Sequence, residues 1–140
     1  MSFREKSAWG MMAVLALAGL YYFKRVIVAS LEQGAAVPPS ARFLITYIIA
    51  VIILSVIVNI AVSASNPNEA EAPADEREAL ILARAGQYGG IIMGIGVISA
   101  LWHFAFNQDG NLMFHIVFGS LMTAQFCEYA LQVYYLRWGS

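Results

Sequence analysis

"ARFLITYIIAVIILSVIVNIAVSA", residues 41–64, carries a single charge, Arg42, and then runs apolar almost without a break. At about 1.5 Å of rise per residue, a helix of this length crosses a hydrocarbon core roughly 30 Å thick. Three further stretches have the same character, from approximately Ser7 to Leu31, Gly86 to Phe106 and Leu112 to Leu136. The expected fold is therefore all-α, a four-helix transmembrane bundle forming one domain over residues 1–140. Composition agrees, with 60% apolar and only 12% charged side chains, since a soluble domain needs more polar surface.

The breaks between spans are local and legible. In "EQGAAVPPS", residues 32–40, Pro38 and Pro39 end any helix. "NQDGN", residues 107–111, is a tight turn around Asp109-Gly110 that makes spans three and four antiparallel neighbours. Between spans two and three lies "NPNEAEAPADEREALILARAGQ", a polar stretch read as an acidic linker and short helix over 65–85. Asp75 is placed to cap that helix, with Glu78 three positions on and Glu76 in the first turn facing the positive helix end. The helix either lies along the interface or runs straight into span three.

Span one is interrupted by Lys24 and Arg25, whose long side chains can snorkel to the interface. The opening "MSFREKSAWGMMAVLALAG" has the basic start of a secretory signal, but Tyr21, Tyr22 and more apolar sequence follow, so a retained anchor is expected. With four spans, Arg4, Lys6, Arg77, Arg84 and Arg137 fall on the side of both termini and the middle loop, against Lys24, Arg25 and Arg42 on the other. Positive residues favour the cytoplasm, which places both termini inside in a multi-pass membrane protein. A net charge of −1 gives no reason to expect a nucleic-acid partner, and the lone Cys127 cannot form an internal disulfide. The direct partner is the lipid bilayer.

Against this apolar background Glu128 stands out. Residues 121, 125, 128, 132 and 135 share a helix face and read Leu121, Gln125, Glu128, Gln132, Tyr135. An ionised carboxylate at membrane depth costs about 2.5–3.5 kcal/mol on insertion scales, so this stripe is expected to face protein or a wet cavity. Span two offers Ser55, Asn59 and Ser63 on one face, and similar depths predict that Asn59 approaches Glu128. That pairing reads either as a structural hydrogen bond fixing register or as a site for a proton or ligand.

His103 and His115 lie four residues before and after the "NQDGN" turn, at one expected depth. Two imidazoles there raise a metal or haem site, against ordinary hydrogen-bonding histidines, and two ligands alone fall short of a full site. No cofactor is otherwise implied. Gly86, Gly90 and Gly94 form a small-xxx-small groove, read as packing within the bundle or as a homodimer seam. The chain holds no phosphate-binding glycine loop and no nucleophile, base and orienter set, which argues against an enzyme.

Three pieces, "MSFREKSAW", "ADEREALILARAGQYG" and "CEYALQVYYLRWG", resemble a group of small four-span prokaryotic membrane proteins, the DUF2178 type. The resemblance marks Asp75, Glu76, Arg77, Glu78 and Glu128 as family-pattern residues and implies a place in the bacterial inner membrane and a regulatory role beside a cytoplasmic helix-turn-helix protein. The exit here has one basic residue, Arg137, where the group tends to have two. The leading expectation is a non-enzymatic regulatory or sensor-type membrane protein that shows "DEREALILAR" to a cytoplasmic partner and responds to events at Glu128. The rival is a small proton-coupled transporter or channel lined by Gln125, Glu128, Gln132 and Asn59; the third reading is haem or metal held by His103 and His115.

Overall fold

The computed structural model describes residues 1–65 and 67–139, with only the backbone of Glu69 and Glu71. The chain is helical throughout: α1 spans Phe3–Gln33, α2 Ala41–Ser65, α3 Pro67–Glu71, α4 Glu76–Asn107 and α5 Gly110–Trp138. The four long helices coincide with the four expected spans, and the five-residue α3 is an addition within the acidic linker. The helix begun at Asp75 does run straight into span three, giving α4 its 32 residues and a length of about 48 Å.

Helix ends follow from capping chemistry. The Asp75 carboxylate accepts from the Glu78 amide at 2.7 Å, and the Ser2 hydroxyl accepts from the Glu5 amide at 3.2 Å, each satisfying a donor that the first turn leaves free. At the α4–α5 turn, Gln108 adopts a left-handed conformation with φ 53° and Asp109 accepts from the Leu112 amide at 3.0 Å. Only two residues therefore separate a helix end from the next helix start. Gly34, also left-handed, ends α1.

The helices stand in a row. α4 packs on α5, α5 on α1, and α1 on α2, which makes α1 and α5 the inner pair and α2 and α4 the outer ones. Glycines let the neighbours approach. Gly96 of α4 sits directly against Ser120 of α5, Gly119 of α5 against the Phe23 ring of α1, and Gly10 of α1 against Val58 of α2.

Two opposite ends are defined by polar contacts. At one, the starts of α1 and α4 meet the end of α5: Arg4 Nε donates to Glu78 Oε2 at 2.7 Å, and the Arg137 guanidinium lies 3.9 Å from the buried Glu5 carboxylate. Both termini and the α4 start thus share one side, as alternating spans require. At the other end, the loop after α1 folds over the start of α5, where Asn111 donates to the Ala36 carbonyl at 3.3 Å.

α1, α2 and α4 are long and apolar enough to cross a membrane. α5 is long enough at 29 residues but less apolar, because it carries His115, Gln125, Glu128 and Gln132 along its length. Its place between α1 and α4 explains how it tolerates His115, Glu128 and Gln132: the neighbours, rather than lipid, receive these side chains. α2 is the reverse, an edge helix with no buried residue.

Candidate functional site: the polar side of α5

Glu128 turns toward α4. A methyl group placed on Gly89 would stand 3.3 Å from Glu128 Oε2, and one on Gly86 would stand 3.8 Å from Oε1, so the carboxylate lies over bare helix backbone. One turn on, the Gln132 amide donates to Glu128 Oε1 at 3.4 Å, a long bond that gives the side chain an orientation more than a strong anchor. Gln132 itself is 8% exposed. A further turn toward the termini, the Arg84 guanidinium of α4 lies 5.8 Å from the centre of the Tyr135 ring. Glu128, Gln132, Tyr135 and Arg84 therefore line one continuous seam between the two helices.

The rest of the expected stripe does not join it. Leu121 and Gln125 are exposed. The reason is phase: α4 meets α5 along Ser120, Ala124 and Glu128, and α1 meets it along Gly119 and Met122. Leu121 and Gln125 lie in the interval between those two seams.

Asn59 also corrects the expectation. Its side-chain carbonyl accepts from the Ser7 hydroxyl at 3.2 Å and its amide donates to the Ser55 carbonyl at 2.9 Å. Asn59 thus serves the α1–α2 seam through Ser7, with Ser55 lending only a carbonyl of its own helix, while α1 stands between α2 and α5. Ser63 is half-buried near the same end of α2. Depth alone predicted an encounter with Glu128; the order of helices in the row prevents it.

The two histidines separate in the same way. His115 points to α1, not α4: its Nε2 lies 2.9 Å from the Val37 carbonyl and its Nδ1 3.4 Å from the Tyr22 hydroxyl. A carbonyl only accepts, so Nε2 carries the proton, and Tyr22 donates to Nδ1. His103 is engaged by Asn107, whose amide approaches Nδ1 at 3.2 Å. Neither pair leaves an arrangement for one shared ion, and among the described residues no group of three or more His, Cys, Asp or Glu is placed to hold a metal.

One glycine of the expected stripe of three packs inside the bundle. Gly86 borders the α5 seam, but Gly90 and Gly94 face away with nothing within 4 Å of an added methyl. Glycines out of step with that stripe do the packing: Gly89 and Gly96 form the seam with Ala85 and Ala100, both fully buried.

Two clusters escaped sequence reasoning. Tyr22, only 2% exposed, stacks on Phe43 at 5.3 Å and meets Phe118 at 4.7 Å and Tyr47 at 5.6 Å, tying α1, α2 and α5 together near the loop end. The charged cluster at the opposite end joins Arg4 to Glu78 and Glu5 to Arg137. A readable signal existed for the second, because Ser2-x-x-Glu5 and Asp75-x-x-Glu78 are matching capped starts on the same side.

Asp75, Glu76 and Arg77 are exposed at the α4 start, with Glu78 held by Arg4. Beyond them, Leu80 is 71% exposed and Arg84 and Gln87 lie on the same outward side. The first turns of α4 thus offer a charged ridge with one bare leucine on it. Compared with protein-family models, with curated proteins and with solved structures, the chain has no match.

Proposed function

We propose that this chain is a non-enzymatic integral protein of the bacterial inner membrane that works as a regulatory partner, presenting the first turns of α4 to a cytoplasmic protein. The observation that carries this reading is the position of Glu128. Its carboxylate rests on α4 at Gly86 and Gly89, just past the outward ridge of Glu76, Arg77, Leu80 and Arg84. A helix of about 48 Å exceeds a hydrocarbon core of roughly 30 Å, so the first turns of α4 project beyond the membrane. A change of charge or occupancy at Glu128 acts on the same rigid helix that carries the ridge. The segment bearing it, "ADEREALILARAGQYG", is also one of the three that resemble the four-span group described above.

The test is recovery of a soluble protein from native membranes after crosslinking, with wild type, Leu80→Asp and Glu128→Gln compared. The expected result is one specific partner, lost with Leu80→Asp and changed in yield by Glu128→Gln. Identical recovery from all three would overturn the reading. A transporter instead needs Glu128 and Asn59 on one path, and they serve different seams; proton flux in proteoliposomes that responds to Glu128→Gln would favour it nonetheless.

A further inference from the structure

We propose that the cleft between α1 and α2 at the loop end is a binding site for one anionic phospholipid, with its phosphate held by Arg25 and Arg42 and an acyl chain laid along the helices. The cleft encloses roughly 800 Å³. Its walls are apolar over most of their length, with Leu17, Ala18, Val26, Ala29, Ala50 and Leu54 among the lining residues. Its mouth is not apolar: Arg25 and Arg42 both line it, beside Ser40 and Thr46.

Neither arginine has a carboxylate partner among the described residues, in contrast to Arg4 and Arg137 at the opposite end. Arg25 is nonetheless held in place. Its guanidinium lies 5.0 Å from the centre of the Phe43 ring and donates to the Tyr21 hydroxyl at 3.2 Å. The group is fixed across the α1–α2 seam with other N–H donors free, which suits a phosphate that accepts several hydrogen bonds. The Ser40 hydroxyl accepts from the Phe43 amide, so the α2 start, with its positive dipole end, lies at the same mouth. A cleft with greasy walls and two unneutralised guanidiniums at its opening complements an amphiphile with a negative head. A zwitterionic lipid brings an ammonium that the two cations repel, and a water-soluble phosphate leaves the apolar walls empty.

The experiment uses the full chain, purified in mild detergent, and counts lipids retained by native mass spectrometry after incubation with phosphatidylglycerol, phosphatidylcholine or glycerol phosphate. The expected result is one retained phosphatidylglycerol, at least fivefold less phosphatidylcholine, and no retained glycerol phosphate. The double variant Arg25→Gln with Arg42→Gln reduces retention about tenfold, whereas Lys6→Gln, at the opposite end of α1 and outside the cleft, leaves it unchanged. Ala18→Phe, which fills the apolar wall while keeping both charges, also reduces retention. Equal retention of the two lipids, tight binding of glycerol phosphate, or full retention by the double variant would each overturn the proposal. Thermal unfolding of each variant in lipid-free detergent shows whether a lost lipid reflects a lost site or a lost fold.

Discussion

α2 and α5 are helices of similar length in one small protein, yet they obey different rules. α2, at the edge of the row, has no buried residue, and its middle is a run of isoleucine, leucine and valine facing outward. α5, between α1 and α4, buries His115 and Gln132 and carries Glu128 against a neighbouring backbone. The contrast shows that membrane helices are selected by what surrounds them. Lipid favours hydrocarbon, so the middle of an edge helix is plain; a helix flanked on both sides can turn polar groups such as His115, Glu128 and Gln132 to protein.

The sharpest way to break this contrast is to exchange the two environments' chemistry. Ile53→Glu, at the centre of the lipid-facing helix, is expected to cost about 3 kcal/mol of insertion free energy, whereas Glu128→Leu on α5 inserts at least as well as wild type. A glycosylation-mapped insertion assay reads both, and equal insertion of Ile53→Glu and wild type would remove the distinction. Next in size is steric: Gly96→Leu forces a side chain into Ser120 and its helix and is expected to destabilise the fold by about 1–3 kcal/mol, seen as a lower midpoint of thermal unfolding in detergent. Gly90→Leu, on the open face of the same helix, serves as the control with little effect.

His115→Ala comes third. It leaves the buried Tyr22 hydroxyl and the half-buried Val37 carbonyl without their partner, and about 1–3 kcal/mol is expected from the same unfolding measurement. The smallest effect belongs to Asn59→Ala in the α1–α2 seam. Side-chain hydrogen bonds between membrane helices average about 0.6 kcal/mol, and Asn59 keeps its contacts at an exposed position. An Asn59→Ala loss equal to that of His115→Ala would mean that the edge seam matters as much as the inner one.

Much of the fold was legible because it rests on local signals. Apolar run lengths place the four long helices, Asp75 and Glu78 mark the start of α4, and Asp109 marks the start of α5. What the run lengths do not contain is the order of helices in the row. Glu128 and Asn59 share a depth, but depth is a property of each helix alone, and α1 comes between them. The same gap explains His103 and His115, brought level by the turn and then separated, His103 engaging Asn107 of its own helix and His115 the α1 side. In α4, a repeat of four made Gly86, Gly90 and Gly94 the obvious stripe, while the seam follows Ala85, Gly89, Gly96 and Ala100. Both stripes have the right residues, and only the neighbour decides between them.

The row also divides the chain unevenly between short-range and long-range association. α1 and α2 are consecutive partners, as are α4 and α5, and the stretch from α3 to Asp75 bridges the two couples across an exposed segment. Each couple has its own glycine-lined interface, and between the couples Tyr22, Phe23 and Gly19 meet His115, Gly119 and Met122. Two separately expressed fragments, severed within residues 72–74, should therefore find one another in the bilayer and rebuild the intact molecule without a covalent link.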